Sequence, residues 1–200
     1  MSMKKTIVIG LTGQTGAGKS TVCGFAKKMG IPVINADSIA REIMSAGSEC
    51  LTRLAEAFGE DILFPDGSLN RKLLAKRAFS SKEKTALLNS VTHPYIIGKT
   101  KQRIAELSES GADTVIFDAP QLFESGGNKL CDIIAAVTAP EEVRLRRIME
   151  RDGITREEAL LRMKAQHSEE FFKENCRYII DGSLSLEEVE KAARGIFFTA

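Results

Sequence analysis

Short continuous apolar runs alternate along this chain with apolar residues at helical spacing, an order typical of a parallel α/β sheet. The continuous runs predict buried strands at residues 6–11, 32–35, 114–118, 133–137 and 178–181. The helical spacing predicts helices at residues 20–29, 38–44, 51–58, 141–151, 156–166 and 185–197. We therefore expect an α/β fold of three layers, α/β/α, around a central parallel sheet of about five strands.

A long helical stretch interrupts this alternation. From residue 70 to residue 110 the pattern is helical throughout, in three pieces at 71–79, 82–92 and 94–110. The last piece begins with Pro94, which suits the first position of a helix. We interpret this stretch as a helical subdomain inserted into the sheet-forming chain.

Length and composition suit one domain of 200 residues. The formal net charge of +1 provides no global field for nucleic acid or a membrane surface, so we expect neither as a partner. The four cysteines form no C-x-x-C pair and only two histidines are present, which argues against zinc and fits a reducing, cytoplasmic setting. The sequence contains no heptad seam, so it does not predict an oligomeric state.

Residues 13–20 read Gly-Gln-Thr-Gly-Ala-Gly-Lys-Ser, the complete G-x-x-x-x-G-K-[ST] pattern of a nucleotide phosphate loop. Its glycines let the backbone approach phosphate oxygens, and its N–H groups and the following helix form an anion nest. Lys19 supplies a charge near the β- and γ-phosphates, and the Ser20 hydroxyl is placed to bind Mg²⁺. We predict that the nucleotide-binding residues are Gly13, Gln14, Thr15, Gly16, Ala17, Gly18, Lys19, Ser20 and Thr21.

Two other classes of nucleotide-binding protein are disfavoured. A GTP-hydrolysing switch needs a D-x-x-G element, and no aspartate here has glycine three residues on. The nearest match to its N-K-x-D guanine reader, residues 128–132, is one residue too long. A dinucleotide site needs a third glycine where Thr21 stands. What remains is a kinase for a small acceptor, which needs Mg²⁺, a group that orients the acceptor hydroxyl, and mobile cations.

Two aspartates at predicted strand ends are candidates for this chemistry, because ligands of parallel sheets bind at the carboxyl ends of strands. Asp37 is the candidate base, and its alternative role is to cap the next helix. Asp118 is the candidate acidic group near Mg²⁺, and its alternative role is in a turn with Pro120 that ends the strand.

Several basic residues also have two interpretations. Arg144, Arg147 and Arg151 share one face of a predicted helix. They either close over phosphates as bidentate donors or form a solvated face with pairs of the Glu142–Arg146 type. The structural interpretation of Arg71 is a charged residue on the surface of a helix. That of His93 is the residue before Pro94 at the start of a helix.

Seven segments of the chain resemble, in order, the motifs of the dephospho-coenzyme A kinase family. Asp37 with Ala40-Arg41-Glu42 is similar to the family's "DAD…ARE", and the sequence from Asp118 to Glu124 is similar to "D.PLLFE". The seven segments lie at residues 10–22, 32–42, 58–74, 88–94, 118–124, 147–166 and 178–181. Five positions depart from the family pattern, namely Asn35, Asn70, Gln121, Arg144 and Gly182.

The resemblance implies a P-loop kinase fold and transfer of phosphate from ATP to the ribose 3′-hydroxyl of dephospho-coenzyme A. It implies that Asp37 accepts or orients the hydroxyl proton, and that Lys19 and Arg147 complete the catalytic set. Residues 62–110 would bind the acceptor through Arg71 and His93, and Asp37 and Asp118 would also bind substrate. Residues 141–166 would form a lid whose Arg147 and Arg151 bind the nucleotide. The nucleotide-binding core would then comprise residues 1–61, 111–140 and 167–200.

Two other functions stay open on the sequence. One is a different small-molecule kinase of the same fold, such as a nucleoside kinase. The other is a regulatory module that binds a nucleotide without catalysis.

Overall fold

The computed structural model describes residues 5–199, which contain one five-stranded parallel sheet. Its strands lie in the order β2-β3-β1-β4-β5. They are β1 (Ile7–Gly13), β2 (Val33–Asn35), β3 (Thr114–Asp118), β4 (Ile133–Thr138) and β5 (Tyr178–Asp181). Each predicted apolar run forms a strand, so the predicted α/β class and the five parallel strands are confirmed. Because β1 is the middle strand, its carboxyl end lies between those of β3 and β4.

Nine α-helices occur within residues 5–199. They are α1 (Lys19–Lys28), α2 (Ala36–Ile43), α3 (Glu49–Phe58), α4 (Arg71–Ala78), α5 (Lys82–Glu109), α6 (Glu141–Asp152), α7 (Arg156–Lys164), α8 (Glu169–Asn175) and α9 (Leu186–Thr199). None of these helices combines the length and the apolar composition that crossing a membrane requires. Sequence periodicity did not predict α8, because its seven residues span only two turns.

The predicted helix boundary at Pro94 is wrong, because α5 continues through this residue. A proline inside a helix removes one backbone hydrogen bond and costs about 3 kcal/mol in an exposed helix. Packing offsets that cost here: Leu88, Val91 and Tyr95, all on α5, pack against the buried cluster that includes Phe58.

The chain divides into two compact units. One unit comprises the residues up to Ile34 and from Ile104 onwards, and the other comprises Asn35–Arg103. The sheet therefore belongs almost entirely to the first unit. The predicted subdomain boundaries at 62–110 and the predicted lid at 141–166 stay predictions.

The layers of the first unit follow from the alternation of side chains along β4. Ala135 and Val137 pack in the same buried cluster as residues of α1 and α9. Ala136 packs instead with Phe172 of α8. Successive side chains of a strand point to opposite faces of a sheet, so the helices cover both faces and form the predicted three layers.

The second unit has its own apolar core, which is formed mainly by α3 and α4. Its buried members are Cys50, Leu54, Ala55, Phe58, Ile62, Leu74 and Ala78. Partly buried residues of α5 complete the cluster, including Leu87 and Leu88. The unit is therefore a small helical bundle with an independent hydrophobic cluster.

The start of α2 determines the setting of Asp37. The side chain of Asn35 accepts a hydrogen bond from the Ser38 backbone N–H at 2.8 Å, so Asn35 is the N-cap. Asp37 lies in the first helical turn, where its negative charge is favourable to the helix dipole. The alternative in which Asp37 caps the helix is therefore wrong.

Replacement of Asn35 by alanine should lower the free energy of unfolding by about 1 kcal/mol, because the cap acceptor is lost. Asn35→Asp is the matched control, since a carboxylate oxygen can accept the same hydrogen bond, and it should retain most of the stability. Urea unfolding followed by circular dichroism measures both variants. Equal stability of Asn35→Ala and the unmodified protein would contradict the capping role.

Candidate active site

The phosphate loop, residues 13–20, connects β1 to α1 at the carboxyl edge of the sheet. Gly16 and Gly18 have φ angles of +76° and +107°, a backbone conformation that residues with a Cβ rarely adopt. A Cβ on Gly16 would lie 2.7 Å from the carbonyl oxygen of Arg144 on α6. Glycine at position 16 therefore allows both the turn of the loop and its close contact with α6.

Four backbone N–H groups of the loop have no hydrogen-bond acceptor among residues 5–199. They belong to Gly16, Gly18, Lys19 and Ser20. The N–H of Ala17, in contrast, donates within the loop to the carbonyl of Gln14 at 3.1 Å. Unpaired N–H groups at the start of a helix are a binding site for anions such as phosphate.

Lys19 forms an ion pair with Asp118, the last residue of β3. The two side chains are largely buried, with 17% and 7% of their surface exposed. Cys23, one turn after Lys19 on α1, donates a hydrogen bond to the same carboxylate. Burial, and then the negative charge of Asp118, raise the pKa of the Cys23 thiol to about 12, so the thiol keeps its proton at neutral pH.

The three arginines that share a face of α6 have different partners. Arg147 donates through Nη1 to the carbonyls of Gly16 and Ala17, each at 3.3 Å. Arg144 is buried and donates through Nε to the carbonyl of Ala139 at 2.9 Å. Burial lowers the pKa of its guanidinium.

Arg151 lies at the end of α6, and its side chain is 59% exposed. It pairs with the carboxylate of Asp152, with a shortest distance of 2.7 Å. The expected pairing of Glu142 with Arg146 is wrong, because Glu142 pairs with Arg156 at 2.9 Å. Of the three arginines, Arg147 is the one that contacts the backbone of the phosphate loop.

Gly182, one of the departures from the family pattern, packs against the loop from the end of β5. Its N–H donates to the carbonyl of Thr138 at 2.8 Å. A Cβ at this position would overlap the carbonyl oxygen of Ala17. The glycine therefore lets the segment after β5 approach the phosphate loop more closely than a larger residue would in this backbone.

One contact of the loop involves a residue that has no predicted role. The N–H of Thr15 donates to Oε1 of Gln166 at 2.8 Å, and the two residues are 151 positions apart. Gln166 lies just beyond the end of α7. A contact over such a separation leaves no local sequence pattern. Position 166 stands out in the sequence only as the end of the segment 147–166 that resembles the family.

Three of the four predicted substrate-binding residues, Asp37, Arg71 and His93, lie in the second unit, and the fourth, Asp118, lies in the first. Asp37 is exposed in the first turn of α2, and Arg71 is the exposed first residue of α4. His93 is half-buried within α5. The predicted residues that lie together in the first unit are the phosphate loop, Asp118 and Arg147.

Comparison with known proteins identifies the family. Residues 7–188 match the family model described as dephospho-CoA kinase. The chain belongs to the dephospho-CoA kinase family. The match includes the phosphate loop, α2 with Asp37, and α6 with its arginines.

Individual relatives agree with this assignment. A dephospho-CoA kinase of Corynebacterium diphtheriae is 42% identical over 190 residues, which are 95% of each chain. A dephospho-CoA kinase structure from Campylobacter jejuni has a TM-score of 0.64 and 25% identity, and covers 96% of this chain and 95% of its own. The crystal structure of TT1252 from Thermus thermophilus has a TM-score of 0.79 and 35% identity, with coverages of 96% and 97%.

Replacement of Gly16 by alanine should disturb the phosphate loop of this kinase, because the added Cβ meets backbone atoms of α6. We expect a loss of about 1–3 kcal/mol of stability and at least about a tenfold loss of ATP affinity. Thermal unfolding and isothermal titration calorimetry measure these effects.

Gly195→Ala is the matched control. Gly195 lies inside α9 and a Cβ there meets nothing within 4 Å, so this variant should gain stability and keep its ATP affinity. Unchanged ATP binding by Gly16→Ala would show that the loop does not need this backbone conformation.

Proposed function

We propose that this protein transfers the γ-phosphoryl group of ATP to the ribose 3′-hydroxyl of dephospho-CoA and releases CoA and ADP, the final step of CoA synthesis. The observation that carries the proposal is a complete phosphate loop in which four N–H groups have no acceptor among residues 5–199, in a chain of the dephospho-CoA kinase family. Family membership favours this acceptor over those of a nucleoside kinase.

The phosphate loop holds the donor in this proposal. Its unpaired N–H groups bind phosphate oxygens, and Lys19 supplies a full positive charge near the β- and γ-phosphates. Lys19 leaves its ion pair with Asp118 to do so. Arg147, which already contacts Gly16 and Ala17, adds a second cation at the loop.

The residues beside the loop fit a magnesium ion. Mg²⁺ prefers oxygen ligands and is usually held by one or two protein groups together with substrate phosphates. The exposed hydroxyl of Ser20 and the carboxylate of Asp118 are oxygen donors of this kind. When bound, the ion supplies positive charge that stabilises the phosphoryl group during transfer.

Asp37 is the group that accepts or orients the proton of the attacking 3′-hydroxyl. Its exposed carboxylate is not occupied by helix capping, because Asn35 performs that role. A carboxylate that accepts the proton as the oxygen attacks phosphorus is the usual arrangement in such transfers. Arg71 and His93, in the same unit, bind the acceptor, and Arg151 with Arg147 covers the nucleotide.

The cysteines support a cytoplasmic location. Cys23, Cys50, Cys131 and Cys176 are all free thiols. Burial raises the pKa of Cys131 to about 12 and that of Cys176 to about 11, so both remain protonated and unreactive at neutral pH. A reducing compartment is the setting in which four free thiols are stable.

A panel of acceptors tests the proposed reaction. ADP release should be faster with dephospho-CoA than with adenosine or ribose by roughly 10²-fold or more. The product should carry one added phosphoryl group at the 3′ position, which mass spectrometry and ³¹P NMR identify. Lys19→Ala is the inactive control, because it removes the loop charge that both ATP affinity and turnover need.

Other outcomes of the panel would contradict the proposal. Turnover with adenosine but none with dephospho-CoA would favour a nucleoside kinase. Tight ATP binding without turnover on any acceptor would favour a regulatory module.

Asp37→Asn should lower kcat by about 10²-fold or more, the scale of a lost acid–base or orienting group. The Kd for ATP should stay within about twofold, because the role of Asp37 concerns the acceptor and not the donor. Steady-state kinetics and calorimetry separate the two effects. Glu56→Gln, at an exposed position of α3 in the same unit, is the control and should be fully active. Near-normal turnover of Asp37→Asn would remove it from the catalytic set.

A further inference from the structure

A side chain outside the phosphate-loop motif forms a hydrogen bond with the backbone of the loop. Thr15, whose N–H donates to Gln166 at 2.8 Å, directly precedes Gly16, the first loop residue with an unpaired N–H. The two residues are neither exposed nor fully buried, so the contact lies at the edge of the site. Gln166 therefore holds the backbone at the point where the phosphate nest begins.

The backbone of Gln166 is itself well anchored. Its N–H donates to the carbonyl of Met163 at 3.2 Å, which continues the last turn of α7. Met163 and Ala159 of α7 pack in a buried cluster with Leu145 and Ile148 of α6. The amide of Gln166 thus reaches the loop from a packed helix pair.

Other contacts hold the loop from its carbonyl side. Arg147, also on α6, binds the carbonyls of Gly16 and Ala17. Gln166 accepts a hydrogen bond from a loop N–H, and Arg147 donates to loop carbonyls. The α6–α7 pair therefore contacts both a donor and acceptors of the loop backbone. None of these contacts occupies the N–H groups of Gly16, Gly18, Lys19 or Ser20.

We propose that Gln166 is a positioning residue for the nucleotide: by accepting the Thr15 N–H, it keeps the phosphate loop in the conformation that binds ATP. This inference rests on the proposed kinase function, since it assigns Gln166 to the donor half of that reaction. A loop that is ordered beforehand does not lose conformational entropy when ATP binds, so affinity is higher. Gln166 contributes to affinity through this order and not through contact with the reacting atoms.

Replacement of Gln166 by methionine keeps the length of the side chain and removes the acceptor. The Kd and KM for ATP should rise about 3- to 10-fold, the range expected for one net hydrogen bond. At saturating ATP the loop is ordered by its ligand, so kcat should stay within about twofold of the unmodified protein, and the KM for dephospho-CoA should not change.

Two measurements test the inference without an acceptor substrate. Calorimetry with ATP gives the affinity, and NMR-detected hydrogen exchange of the Thr15 amide reports the hydrogen bond directly. Gln166→Met should speed this exchange by about tenfold in the nucleotide-free protein. Gln166→Glu keeps an acceptor and should restore slow exchange. Glu157→Gln, on an exposed position of α7, is the matched control and should leave both measurements unchanged.

Three results would overturn the inference. One is unchanged ATP affinity of Gln166→Met, with or without a lower melting temperature, because Gln166 would then serve stability alone. The second is unchanged Thr15 exchange. The third is tighter ATP binding, which would mean that Gln166 competes with phosphate for the Thr15 N–H. Failure of the proposed function is distinct from all three, since it would show as ATP binding without phosphorylation of dephospho-CoA by the unmodified protein.

Discussion

A phosphate loop has to keep several backbone N–H groups unpaired and still hold a defined shape, and much of this molecule depends on that requirement. Unpaired donors favour no conformation by themselves, so the order must come from the other contacts of the loop backbone. Here it comes from the adjacent strand β1, from Arg147 on the loop carbonyls and from Gln166 on the Thr15 amide. The packed pair α6–α7 supplies both side chains, so these helices hold the backbone of the loop as well as placing Arg147 beside it.

The sheet was predictable from sequence because parallel strands buried on both faces need continuous apolar runs, and all five runs formed strands. The continuity of α5 was not predictable, because a proline is a strong local signal for a helix boundary. The packing of Leu88, Val91 and Tyr95 outweighs this signal, but it is a tertiary interaction that the local sequence does not show. The short helix α8 was missed for a related reason. Its position depends on Phe172 reaching the sheet and not on any periodicity of its own.

The candidate site shows a similar division. The loop itself was predictable, because its chemistry is contiguous in sequence. The three arginines of α6 were not separable, because helical spacing places them on one face but does not say which one meets the loop backbone. Asn35 is one of the five departures from the family pattern. The structure adds that its amide caps α2 and so determines which interactions are left to Asp37.

The buried pair of Lys19 and Asp118 makes charge balance a condition for what the phosphate loop binds. While the pair is intact, the positive charge of the lysine is compensated, and a bare anion gains little by approaching it. If such an anion displaced Asp118, a carboxylate with only 7% of its surface exposed would remain without a cation. An anion that arrives with a cation of its own avoids this penalty, because the carboxylate exchanges one positive neighbour for another. Under the proposed function, the pair would therefore favour a metal-bound polyphosphate over a simple anion before any contact with a base or a sugar is made.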